Sequence, residues 1–189
     1  MVRKQPSERL KGGNVRGAIA NAHLDWVDMY GGRDERLAIA SEMAPEIATS
    51  EWLPFAQLVA LDRAIYQRFG DGVSEDSLYE DLGRFSARAN LGTKFAVWND
   101  GQHHEFFEQS TIRHRQLQDF GTAEYRSLGK HRIEMRHAGY PCFSRVYCSS
   151  AVGFYEQCLI SHGAVSPQVI EQTCQCLGWN ACRFELRWR

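Results

Sequence analysis

The sequence predicts an α+β fold with a helical N-terminal half and a C-terminal half built from strands, one helix and a β-hairpin. A long apolar stripe at helical spacing (Phe55, Leu58, Leu61, Ile65, Phe69) marks the first half. A clean two-residue alternation at the end marks the second: Cys182, Phe184, Leu186 and Trp188 on one side, Arg183, Glu185, Arg187 and Arg189 on the other. All six cysteines lie between Cys142 and Cys182, so the two halves also differ in chemistry.

Residues 1 to 13, ending in Lys11-Gly12-Gly13, are expected to form a flexible tail ahead of a single domain over 14–189. Within that domain, 14–120 is the mainly helical part and 121–189 the cysteine-bearing part. Val15 to Met29 suits a short helix closed by Gly31 and Gly32, and a second runs from Asp34 to Met43, stopping before Pro45. Pro54 sits where a first helical turn tolerates proline and opens the striped helix, which Gly70 ends. Ser74 is placed to cap a helix through Leu78, Leu82 and Phe85 to about Ala89. Residues 93 to 120 are expected to be mostly helical. Residues 124 to 138 predict one or two short strands around Leu128, Ile133 and Met135. A strongly apolar helix over 141–161 opens with Pro141, presents Phe143, Tyr147, Phe154 and Cys158 near one face, and stops at Gly163. Val169–Cys176 and Cys182–Trp188 form a hairpin whose turn chemistry comes from Gly178 and Asn180.

The bulk properties narrow the function. With 22 basic and 23 acidic side chains the net charge is −1, which provides no footprint for direct nucleic-acid binding or an anionic membrane. The start from Met1 to Asn14 has no apolar signal region, and no apolar run approaches the roughly 20 residues of a membrane span. A soluble, cytoplasmic protein is expected. In that compartment clustered cysteines suggest metal binding or redox chemistry before disulfides; the plain alternative is six small buried hydrophobes.

The hairpin supports the metal reading. With the turn centred on Gly178, Cys174 and Cys182 are directly opposed, and opposed residues hold their Cβ atoms about 4.5–5.5 Å apart. Two thiolates at about 2.3 Å from one metal need such a separation. Glu171, three residues before Cys174, points inward only if a bulge or the strand edge turns it. The apolar helix offers Cys148 as a fourth ligand, and Cys176 and His162 are competing donors. Four protein ligands leave a tetrahedral Zn(2+) with no open position, so its role is structural, pinning helix to hairpin.

These residues resemble a known signature. Cys148-x22-Glu171-x2-Cys174-x7-Cys182 is similar to the zinc-binding pattern of the 4-vinyl reductase domain, the effector-sensing module of phenol- and xylene-responsive bacterial transcription activators. Gly153 also matches a small residue of that family's helix. The resemblance covers roughly residues 124 to 189; over the whole chain, Val15-Arg-Gly-Ala and Trp52-Leu-Pro resemble a stand-alone, uncharacterised myxobacterial paralogue family. The chain lacks the activators' phosphate loop and basic recognition helix. What the resemblance implies is a zinc-stabilised, non-enzymatic, ligand-binding sensor that signals through a protein partner and takes a small aromatic or apolar ligand. The alternatives are a ligand-independent adaptor or scaffold carrying the same zinc, and, further off, a reductase-like enzyme.

The aromatic supply (Phe95, Trp98, Phe106, Phe120, Tyr125, Tyr147, Phe154) provides candidate lining for an apolar pocket between the 141–161 helix and its flanking strands, although packing explains most of these residues singly. Adjacent histidines on a helix diverge by about 100°, so His103 and His104 are expected to form an exposed polar patch rather than a haem or metal site. His162 suits a helix C-terminal cap. No catalytic residue is assigned. Related sensor domains act as dimers, and the long stripe Phe55, Leu58, Leu61, Ile65 suggests a homodimer contact.

Overall fold

The computed structural model describes residues 7–43, 47, 50–94 and 101–189. Among these, six α-helices and two antiparallel sheets give the α+β class that the sequence predicts. The order is β1 (Asn14–Arg16), α1 (Gly17–Gly31), α2 (Arg33–Glu42), β2 (Trp52–Pro54), α3 (Phe55–Phe69), α4 (Glu75–Lys94) and α5 (His103–Leu117). There follow β3 (Thr122–Gly129), β4 (Arg132–Ala138), α6 (Arg145–Ser161), β5 (Gln168–Thr173) and β6 (Ala181–Arg187). β1 pairs with β2, and the four-stranded sheet runs β3-β4-β6-β5. Among the described residues no helix is long and apolar enough to cross a membrane.

The striped helix α3 forms where its spacing predicts, and Phe55, Leu58, Leu61 and Ile65 are each fully buried. That burial occurs inside one chain, against Val15, Leu24, Val27, Leu82 and their neighbours. The stripe is therefore consumed by the chain's own core, which removes the ground on which a homodimer was expected. Ser74 caps α4 as its sequence position suggests, accepting the Ser77 amide at 3.2 Å, and α4 runs past Ala89 to Lys94. The 124–138 region is a hairpin with a bulge between Ser127 and Gly129.

Several boundaries differ from expectation: Val15 and Arg16 belong to β1 rather than to the first helix, and the strand expected over Val169–Cys176 ends at Thr173, where the chain turns. Helix α6 begins at Arg145 rather than Pro141, because Ser144 is extended (φ −147°, ψ 147°) and occupies the N-cap position. Its cap comes from far away in sequence: the Glu8 carboxylate accepts the Ser144 hydroxyl and the Arg145 amide (3.1 Å), and also pairs with Arg63 on α3. A carboxylate there satisfies orphan amides and suits the positive end of the helix dipole. The segment before β1, expected as a tail, is thus tied down over residues 7–13. Ser7 donates to the Cys176 carbonyl (2.8 Å), Arg9 pairs with Phe143, and Gly13 accepts the Phe55 amide (2.9 Å). The rest of the expected tail, 1–6, lies outside the described residues.

Helices α4 and α6 approach backbone to backbone. A Cβ built on Gly83 would stand 1.9 Å from the Ser150 carbonyl oxygen, and one on Gly153 would stand 1.8 Å from the Glu80 carbonyl oxygen. Each glycine fills the other helix's closest point, so neither side chain can be added without moving a helix. Gly153→Ala and Gly83→Ala should each lower unfolding stability by about 1–3 kcal/mol or more. The double variant should cost less than the sum, because both changes relax the same crossing. Urea denaturation checks this, and an unchanged midpoint for both single variants would refute the close-contact assignment.

Candidate functional site

Helix α6 carries residues of two chemically distinct sites. The first is the sulfur cluster. Sγ of Cys148 lies 3.5 Å from that of Cys182 and 3.7 Å from that of Cys174. One donor atom from each of Cys148, Glu171, Cys174 and Cys182 falls within 4.8 Å of the others. The hairpin delivers this arrangement through a bulge: pairing shifts between Glu171↔Phe184 and Thr173↔Arg183, so Gln172 is the extra residue and Glu171 is turned toward the cysteines. The connection Gln175–Leu177 is a 3-10 turn closed by Gly178 in the left-handed region (φ 90°), and the Gln175 amide donates to Cys182 Sγ at 3.3 Å.

The cluster's electrostatics follow from its packing. The neighbouring thiols, Cys148 first, hold the Cys174 thiol far below the ordinary range and favour its thiolate, against burial. Burial, reinforced by that thiolate, raises Glu171 to about 7 against the opposing pull of Arg145. One carboxylate oxygen of Glu171 pairs with Arg145, which also holds Asp76 on α4. Its other oxygen, Oε1, is buried with no partner among the described protein atoms. Cys176, a competing donor by sequence, is 1% exposed and is not among the four converging donors. His162, the other competing donor, instead bonds the Cys158 carbonyl through Nδ1 (2.7 Å), as a helix-end cap would.

The second site is a partly open cavity of about 100 Å³ lined by α1, α4, α5, α6 and the sheet. Of the seven aromatics proposed from sequence, Tyr147 and Phe154 line it. Phe106 packs in the C-terminal core, Phe120 packs edge-on between Phe55 and Tyr140, and Tyr125 bonds His104. Phe95 and Trp98 lie outside the described residues. His103 and His104 are not the exposed patch expected of them: His103 is buried against Trp188 (ring centroids 4.9 Å), and His104 bonds the Tyr125 hydroxyl and the Lys130 carbonyl.

The polar wall of the cavity was not legible in the sequence. Tyr140 and Gln118 Nε2 both hydrogen-bond His114 Nε2 (2.9 and 3.2 Å), and Tyr147 donates to Gln118 Oε1. Tyr155 hydrogen-bonds His137 Nε2 through its hydroxyl, and the His137 and Tyr140 rings stack at 5.3 Å. Burial lowers His114 to about 4, helped by Arg115, and lowers His137 to about 3, helped by His114. Burial also raises the Tyr140 and Tyr155 hydroxyls well above their usual value. These histidines and tyrosines are therefore all neutral near pH 7. The residues come from separate elements with no common spacing, so no local pattern announces them.

No protein-family model and no curated protein matches the chain. Solved structures do match in shape. An H-NOX protein from S. oneidensis in the Fe(II)NO ligation state superposes with TM-score 0.69 at 15% identity, covering 92% of this chain and 99% of that one. The Shewanella oneidensis H-NOX domain in the Fe(II)CO state gives 0.71 at 13% identity, covering 92% and 98%. A structure from work on heme distortion in the H-NOX family gives 0.67 at 12%, covering 92% and 95%. The chain shares the H-NOX fold over most of its length.

Two expectations are corrected by these matches. The 4-vinyl reductase assignment fails because the similarity that spans the chain is to H-NOX structures, whereas that resemblance rested on a few spaced residues in the last third. Zn(2+) as the resident cofactor, and with it the zinc clamp, fails for the same reason: the solved structures of this fold are described by Fe(II) ligation states and heme. Cysteine spacing reports local donor chemistry and not the cofactor of a fold.

The neutral wall has a pH consequence. His114 and His137 have folded pKa values below the 6.5 of an exposed imidazole, so the unfolded chain binds more protons as pH falls. Their stabilising effect is complete above pH 6.5 and is lost as pH drops toward about 4 and about 3. Stability should fall between pH 6.5 and 4 by up to about 1.4 kcal/mol per pH unit for each group. Denaturation midpoints across that range check it; a His114→Gln, His137→Gln variant should show a flatter profile, and a flat wild-type profile would refute the neutral assignment.

Proposed function

We propose that the chain is a non-enzymatic small-molecule-sensing module whose ligand occupies the cavity beside α6 and whose signal passes to a protein partner. The observation that carries this reading is a neutral, aromatic-walled cavity on the helix that also holds Cys148, in a fold whose solved structures are described by bound small molecules. Such a site takes up a ligand by differential affinity between two conformations, and α6 links the cavity to the hairpin.

The descriptions of those structures raise heme as the ligand, and the wall residues test that. Pockets for drug-sized molecules run about 300–1,000 Å³, and heme is larger than most of those molecules. The cavity here is about 100 Å³. Nε2 of His114 is hydrogen-bonded to Tyr140 and Gln118, and Nε2 of His137 to Tyr155, so neither nitrogen faces open space. These residues do not fit a heme. An apolar cavity of about 150 Å³ binds benzene in another protein, so the ligand class favoured here is a small neutral molecule no larger than one ring, with any polar group facing the Tyr–His wall.

We also propose Cys148, Glu171, Cys174 and Cys182 as a cation site, supported by the convergence of four donors and by the unpartnered Oε1 of Glu171. Thiolate-rich sets favour soft cations.

Two measurements check these readings. A thermal-shift screen of small neutral ring compounds should find saturable stabilisation, about 2.7 kcal/mol at a hundredfold excess over Kd. Ala151→Met, which fills the cavity, should abolish it. A folded protein that no compound stabilises would favour the ligand-independent adaptor. Elemental analysis of freshly purified chain should find about one thiophilic metal, lost in Cys174→Ser; a metal-free wild type would remove the cation site.

A further inference from the structure

The cavity beside α6 is lined by three serines as well as by the Tyr–His wall, and their hydroxyls are not equivalent. Ser110 on α5 donates to the Phe107 carbonyl at 2.7 Å. Ser86 on α4 accepts from Asn90 Nδ2 at 3.3 Å. Ser150 on α6 is 9% exposed, and its hydroxyl has no hydrogen-bond partner among the described residues. Its neighbour Ser149 shows the contrast, bonding the Asp76 carboxylate and, one turn back, the Arg145 carbonyl at 3.1 Å. A serine hydroxyl carries one donor and two acceptor positions, and buried ones are nearly always partnered. The glycine crossing also fixes where this hydroxyl sits. The Ser150 carbonyl oxygen is the atom that a Cβ on Gly83 would meet at 1.9 Å, so the backbone of Ser150 is held against α4 and cannot turn away from the cavity.

Resting on the sensing reading above, we propose that Ser150 is the specificity-determining residue of the cavity, donating its hydroxyl to an acceptor atom of the ligand. The ligand class narrows from a neutral molecule of one ring to a neutral ring bearing a hydrogen-bond acceptor, placed against the crossing of α4 and α6. A second polar atom of the same ring is free to face the Tyr–His wall, so the two polar sides of the cavity read two separate edges of the ligand. Discrimination comes chiefly from the wrong ligand: a hydrocarbon of the same shape leaves the buried hydroxyl unpaired, and such a group costs more than the bond itself contributes. The same contact joins the ligand to the one point where the two helix backbones meet.

The test titrates the full chain with benzene and with pyrazine, which share one shape and differ by two ring nitrogens on opposite edges. Ser150→Ala removes the hydroxyl and adds no bulk. Followed by ligand-observed NMR, it should weaken pyrazine by about threefold to tenfold and change benzene by less than about twofold. Circular dichroism confirms that the variant is folded. A crystal structure of the wild type with pyrazine decides the matter without any variant: a ring nitrogen should lie within about 3.2 Å of Ser150 Oγ. Both nitrogens beyond hydrogen-bond range of Ser150, or equal changes for benzene and pyrazine in Ser150→Ala, would overturn the role of Ser150 and leave the cavity reading standing. Binding of neither compound would overturn the cavity reading and this inference with it.

Discussion

The contact between α4 and α6 is the constraint on which the rest of the molecule depends. Gly83 and Gly153 let the two backbones meet with no side chain between them, which fixes the height and rotation of α6 against the helical half. Everything chemically distinctive follows from that placement. Tyr147, Phe154 and Tyr155 on α6 close the cavity, while Cys148 on the same helix reaches the hairpin. A helix set slightly higher would separate the touching sulfurs and open the wall at once. Close packing makes such shifts discrete rather than gradual, which is the property a sensing element needs.

The N-terminal segment reinforces that placement with few residues. Glu8 supplies the cap that Ser144 does not, and Ser7 bonds the turn bearing Cys176. Three regions far apart in sequence, α3 through Arg63, the start of α6 and the cysteine turn, are therefore held by one short strap. The ion pairs of Arg145 with Asp76 and Glu171 add a second link between α4, α6 and the hairpin. Being partly exposed, these pairs position more than they stabilise.

The cavity and the sulfur cluster divide the polar chemistry of the C-terminal half. Around the cavity the histidines and tyrosines are held neutral by burial and bonded to one another, so the wall presents oriented dipoles without charge. Around the cysteines, neighbouring thiols lower Cys174 beside a carboxyl raised toward neutrality. The first environment suits an uncharged molecule and the second a cation.

By itself the sequence determined the elements whose signal is local. The stripe of α3, the Ser74 cap, the alternation of β6 and the approach of Cys174 and Cys182 follow from periodicity and turn length, which neighbouring residues impose. Residue parity along a strand left a bulge or the strand edge to turn Glu171 inward, and the structure has the bulge. Tertiary structure alone decided where those pieces meet. The cap on α6 comes from Glu8, and the cavity wall from His114, Gln118, His137, Tyr140 and Tyr155, residues joined only when α5, β4 and α6 converge. Family assignment failed for the same reason: four spaced ligands describe one hairpin and one helix, whereas the H-NOX likeness resides in how the helices and sheets are arranged over most of the chain. Local patterns are set by backbone geometry over a few residues, but the site is set by long-range contacts, and those leave no periodic trace in the chain.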